Sequence, residues 1–148
     1  MFRSAASHEI EVLAAAVAGA GQQAANRLDA LINTLTGRAL QGRRLAWALL
    51  FEPVSPAVEV ERLVYRRSYT DLGEQIIHDG LTGGDFVPQD ARIAASAIVG
   101  AISGALVGWI HPDSPEPSPE TQAGALDGIR MFCLRALGSQ TLSTGGTR

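Results

Sequence analysis

One apolar stretch, Asp90 to Ile110, constrains this chain more than any other. It reads Asp-Ala-Arg-Ile-Ala-Ala-Ser-Ala-Ile-Val-Gly-Ala-Ile-Ser-Gly-Ala-Leu-Val-Gly-Trp-Ile, with no charge after Arg92. Gly100, Gly104 and Gly108 recur at every fourth position, which stacks them with Ala97 on one face of a helix. Ile98, Ile102, Leu106 and Trp109 repeat on roughly the opposite face. One side lets another backbone come close, and the other fills a core. A helix apolar all round is buried, either in protein or in lipid.

Ile93 to Ile110 supplies eighteen uncharged residues, the lower end for a membrane span, and membrane helix pairs use small-xxx-small faces. The flanks argue against lipid, because Gln89-Asp90 precedes the stretch and His-Pro-Asp-Ser-Pro-Glu follows it, leaving no basic side. Ala and Gly carry much of the run and gain little from lipid. The expectation is a buried helix at the centre of a soluble, self-associating domain with no membrane partner.

The rest of the chain supplies helices to surround it. Ser7 to Ala18 is amphipathic, with Ile10, Leu13, Ala14 and Val17 on one face. From about Ala24, Leu28, Leu31, Ile32, Leu35 and Ala39 follow the helical repeat, and Gly42 separates them from the apolar run Leu45–Phe51. Ala and Leu favour a short helix over a strand in that run. Ser55 and Pro56 mark the start of the longest helix, which reaches about Leu81 with Val58, Arg62, Tyr65, Tyr69, Leu72 and Ile76 facing inward. His111 to Pro119 holds four prolines and is a loop, and Ser118-Pro119 opens a last helix that Gly138 stops. The fold class is all-α, a bundle of about six helices over residues 1–137, with 138–148 a disordered tail.

A chain of 148 residues makes one domain that buries about 70% of its unfolded surface. Its 46% hydrophobic and 18% charged residues describe a globular protein, and a net charge of −3 gives no electrostatic footprint for nucleic acid. The single Cys133 makes no internal disulfide, and the N-terminus lacks a basic-then-apolar leader, so a cytoplasmic location is expected.

The order of elements resembles the C-terminal, effector-binding and dimerising domain of tetracycline-repressor-type (TetR) transcriptional regulators. The resemblance rests on Ala46-Trp-Ala-Leu-Leu-Phe-Glu-Pro53, Glu61-Arg-Leu-Val-Tyr-Arg-Arg-Ser-Tyr69, Asp79-Gly-Leu-Thr-Gly-Gly-Asp-Phe86 and the Ala/Gly-rich helix after them, and covers roughly residues 24 to 137. It implies that Ser7–Ala18 is the connector to a DNA-reading helix-turn-helix. Phe2-Arg3-Ser4 resembles the end of such a head, although Ala5 stands where Lys is usual, so the head itself is expected to be absent from this chain. A truncated regulator would then contact DNA only through that missing N-terminal domain. The competing reading is a stand-alone helical small-molecule-binding or interaction module with no DNA role.

In the resembled family, ligands sit between the long helix, the short helix before it and the helix after it. That implies a pocket for a small apolar or amphipathic effector from Trp47, Phe51, Arg62, Tyr65, Tyr69, Ser103 and Trp109, with Tyr hydroxyls and Arg62 orienting its polar part. The simpler alternative makes the aromatics ordinary core and turns Arg62 to solvent. Ala97, Gly100, Gly104 and Gly108, with Gly124, Gly128 and Phe132 of the last helix, are the candidate homodimer face. Its alternative is packing of those two helices on each other within one subunit.

No catalytic function is expected, because no nucleophile elbow, acid–base pair or phosphate loop is present. His8, His78 and His111 have no metal-ligand spacing, so neither metal nor cofactor is expected. Cys133 reads as an inert core thiol. The pairs Arg43-Arg44 and Arg66-Arg67 read as solvated faces.

Overall fold

The computed structural model describes residues 1–139, which form six α-helices: α1 (Phe2–Gly19), α2 (Ala24–Gln41), α3 (Arg43–Leu50), α4 (Pro56–Gly83), α5 (Ala91–Ile110) and α6 (Pro119–Ala136). There is no strand among the described residues. Helix starts follow local chemistry. Asp90 accepts a hydrogen bond from the Ile93 amide at 2.8 Å and Ser118 from the Thr121 amide at 3.1 Å, each holding a free N–H of a first turn. Ser55 occupies the corresponding position before Pro56, yet its hydroxyl makes no capping bond, so proline geometry opens α4. α1 starts at Phe2 rather than Ser7, which places Phe2-Arg3-Ser4 inside the helix.

The turn after α4 explains its glycines individually. Gly84 ends the helix at φ +81°, a left-handed conformation that suits glycine. The chain then folds back, the Asp85 amide bonding to the Gly80 carbonyl at 2.8 Å, and the Phe86 ring lands on Gly80. A Cβ at Gly80 would lie 2.3 Å from that ring and 3.1 Å from the Ala24 Cβ. Gly80→Ala is therefore expected to destabilise the domain by about 2 kcal/mol or more, read as a lower urea midpoint. Gly100→Ala, whose Cβ meets nothing within 4 Å, should instead stabilise the isolated chain by about 0.5–1 kcal/mol.

The hub of the bundle is α2, not α5. Helix α2 packs against all five others and buries Leu28, Leu31, Ile32, Thr36, Ala39 and Leu40. Ion pairs tie it outward: Arg38 to Glu9 of α1, Arg27 to Asp79 of α4, and Asp29 to Arg130 of α6. Helix α5 lies to one side. Ile98, Val99, Ile102, Leu106 and Ile110 face α2 and α4, while Ala97, Gly100, Gly104 and Gly108 are exposed. Its composition alone would let it cross a membrane, but Ile98, Val99, Ile102, Leu106 and Ile110 are spent on the protein core, and apart from Ile93 and Val107 the bare side carries mostly Ala and Gly. Cys133 is fully buried, and burial pushes its thiol up to about 11, which keeps it protonated and inert.

Gly138, at φ +63°, ends the α6 region, and the Val87 amide bonds to the Leu137 carbonyl at 3.1 Å. Ser139 is buried. The remainder of the expected tail, 140–148, lies outside the described residues.

Candidate functional site

The inward stripe of α1 is Ala6, Glu9, Leu13 and Val17, so a carboxylate occupies a position where the helical repeat calls for an apolar side chain. Burying it requires a partner. Arg38 of α2 supplies one in fork geometry, Nε donating to one Glu9 oxygen at 2.6 Å and Nη2 to the other at 2.7 Å. The Arg38 guanidinium holds the Glu9 carboxyl below its ordinary value of 4.5, against the opposing push of burial. With its folded pKa lowered, Glu9 stabilises the fold above its unfolded pKa, and that contribution is lost as pH falls through the folded value. Wild type should thus lose more urea stability than Glu9→Gln between about pH 6 and about pH 3. At neutral pH the substitution should cost about 1–2 kcal/mol, because the half-exposed Arg38 is partly screened by water.

Above this pair lies a cavity of about 260 Å³ between α1, α2, α3 and α4. Leu35, Ala39, Leu45, Ala46, Leu49 and Leu50 form its apolar wall, and Glu9, Arg38, Gln41 and Tyr65 its polar side. Tyr65 is buried and also lines a groove of about 560 Å³ between α1 and α4, where Ile10, Val60 and Val64 contribute. Its ring meets that of Tyr69 edge-on at 4.9 Å. Burial raises the pKa of both phenols, most strongly for Tyr65, so both are neutral hydroxyls. Tyr69 lines an inner void of about 10 Å³, room for no more than a water.

The seven residues expected in a ligand pocket do not share one cavity. Tyr65 lines the cavity, Tyr69 the inner void behind it, and Trp109 a groove on the far side of α5. Trp47 packs on Phe51 at 5.4 Å and edge-on against His111 at 4.7 Å, which makes these rings a seam between α3 and the loop after α5. Ser103 is buried on α5. Arg62 is not turned to solvent: it is buried and caps α3. Its guanidinium donates to the carbonyls of Leu49 at 3.1 Å, Ala48 at 3.0 Å and Glu52 at 2.6 Å, and pairs with Glu59 at 2.9 Å. Arg43 corrects the solvated-face expectation in the same way, donating to the carbonyls of Trp109, His111 and Ser114 at the end of α5. Free carbonyls and the negative end of the helix dipole favour a cation at both places.

The α5–α6 face is bare. Ala97, Gly100, Gly104, Gly108, Gly124, Gly128 and Phe132 are all exposed, Phe132 by 62%. A Cβ at any of those five glycines would meet nothing within 4 Å, so packing inside the chain gives no reason for glycine there. Between the helices runs a groove of about 610 Å³ lined by Ala101, Ala105, Trp109, Gly124, Gly128 and Phe132, among others. Among the described residues no cluster of His, Cys, Asp and Glu could hold a metal ion.

The family profile described as tetracyclin repressor-like, C-terminal domain, matches residues 21–127, well over half of the chain. The chain belongs to the TetR family. A transcriptional regulator of the TetR/AcrR family from Thermobifida fusca YX-ER1 has a similar solved structure, with a TM-score of 0.69 at 20% identity over 90% of this chain and 68% of that one. At that identity the likeness shows the fold alone. No curated protein matches. The six-helix, strand-free bundle is thus the fold of a TetR C-terminal domain, and its role is regulatory. Within the TetR-like pattern, the Gly80–Phe86 motif is the notch and key that reverse the chain between α4 and α5. The periodicity of the sequence does not single out Glu9 and Arg38; the one local sign of the pair is a carboxylate in the apolar stripe of α1.

Proposed function

We propose that this chain is the ligand-sensing, dimerising half of a TetR-type regulator, and that the cavity bounded by Glu9, Arg38 and Tyr65 is its effector site. One observation carries the reading: the cavity has α1 as a wall, through Glu9, so whatever fills it touches the helix expected to connect to a DNA-reading head. Regulators of this family typically form dimers and bind effectors and DNA. The effector is a small apolar or amphipathic molecule, in keeping with the mainly aliphatic wall. Two copies join through the exposed glycine face of α5 and the small face of α6 about a two-fold axis. The domain acts in the cytoplasm and catalyses nothing; its output is a change in how α1 is held, which alters the spacing of DNA heads joined to it.

The test is light scattering of the intact chain followed by hydrogen exchange across a panel of small amphipaths. A dimer in which a saturable ligand changes exchange of the α1 amides supports the reading. A monomer whose α1 responds to no member of the panel overturns it.

A further inference from the structure

The cavity has unused donors beside an ion pair that is already closed on itself. Tyr65 is 95% buried, yet its hydroxyl makes no hydrogen bond among the described residues. Arg38 spends Nε and Nη2 on Glu9, and its Nη1 makes no hydrogen bond among the described residues. Both side chains line the cavity. The Glu9 oxygens, by contrast, each already accept a short charge-assisted bond. The donors left over, Tyr65 O–H and Arg38 Nη1, call for an acceptor on the ligand, whereas the exposed Gln41 amide can be met by water.

Charge then narrows the acceptor. A carboxylate placed against Tyr65 and Arg38 would stand next to the Glu9 carboxylate, which already neutralises Arg38, so the added charge meets repulsion with no free countercharge. An ammonium group would face the Arg38 guanidinium, and Glu9, the one carboxylate lining the cavity, is already paired to it. Size narrows it again, since about 260 Å³ falls just below the range of about 300–1,000 Å³ typical of drug-sized ligands.

Resting on the effector-site reading above, we propose that the cavity takes a small neutral molecule with an aliphatic body and a carbonyl oxygen, held by Tyr65 and Arg38, and that Glu9 excludes carboxylates. The body lies against Leu35, Leu45, Ala46, Leu49 and Leu50. The oxygen receives the Tyr65 O–H and an N–H of Arg38 Nη1. Glu9 is then a specificity-determining residue as well as a tether for α1.

The test uses three probes with matched tails, hexanamide, hexanoate and hexylamine, titrated into the full chain at neutral pH with the methyl groups of Leu35 and Leu49 followed by NMR. Hexanamide is expected to shift both methyls, and the two charged probes to bind at least about tenfold more weakly. Tyr65→Phe should weaken hexanamide about fivefold, the effect of one hydrogen bond, while keeping the ring and the fold. Glu9→Gln, once circular dichroism shows it folded, should admit hexanoate; a folded variant that still excludes it overturns the selectivity role. Hexanoate or hexylamine shifting the same methyls as tightly as the amide would overturn the proposal and leave the effector site standing, as would an unchanged affinity in Tyr65→Phe. If no probe moves these methyls, both the proposal and the effector reading fall.

Discussion

Gly104→Leu should convert the proposed dimer into folded monomers. Light scattering would then report the 15.5 kDa chain mass in place of twice that value. The residue lies on the exposed side of α5, and a side chain there enters open space within its own chain, so helix content should hold while the urea midpoint loses its dependence on protein concentration. In a two-fold interface each substitution appears twice and pushes the facing backbones apart. Overpacking of about 3 kcal/mol corresponds to at least about a hundredfold weaker association. The same mass for variant and wild type would remove the α5–α6 face as the contact between copies.

The largest loss of stability is expected from Arg62→Met. The aliphatic stem is kept, while three carbonyls at the end of α3 and the Glu59 carboxylate lose their donor together. With water able to replace part of that set, a cost of about 3 kcal/mol is expected in urea denaturation. Arg62→Lys should recover only a fraction, since an ammonium on a flexible stem cannot reproduce a planar fork spread over three carbonyls. A loss under about 0.5 kcal/mol, the size of an ordinary surface change, would show that α3 is held by its packing alone.

The sequence was most legible where chemistry is local. Ser118 with Pro119 and the glycines after His78 mark helix ends through bonds spanning only a few residues. The apolar repeats of α2 and α4 placed their buried faces, Arg62 included, because 3.6-residue periodicity is a property of the chain itself. What could not be read depends on distant pairings. Arg43 and Arg62 carry no local sign that one ends α5 and the other α3, since their acceptors are backbone carbonyls present at every residue. Glu9 is buried because Arg38, twenty-nine positions away, meets it. Helix α5 is the most apolar and so reads as central, yet apolarity does not say whether a chain's own core or a second molecule covers it. The more mixed α2 holds the middle because its charges leave the core sideways, as ion pairs with its neighbours.

Arg43 has a consequence for how the two ends of this molecule communicate. It sits on α3, whose Leu45, Ala46 and Leu49 wall the cavity, and it grips the carbonyls of Trp109, His111 and Ser114 where α5 ends. The wall and the bare glycine face are thereby clamped to a common strut, so displacing one loads the other. Were the proposed effector and the proposed dimer both to bind, such linkage would be mutual: a molecule that spreads the wall would alter how firmly two copies hold each other, and pairing would alter the grip on that molecule by the same factor. Small-molecule affinity in this protein would then depend on how concentrated the protein is, making abundance itself an input to the sensor.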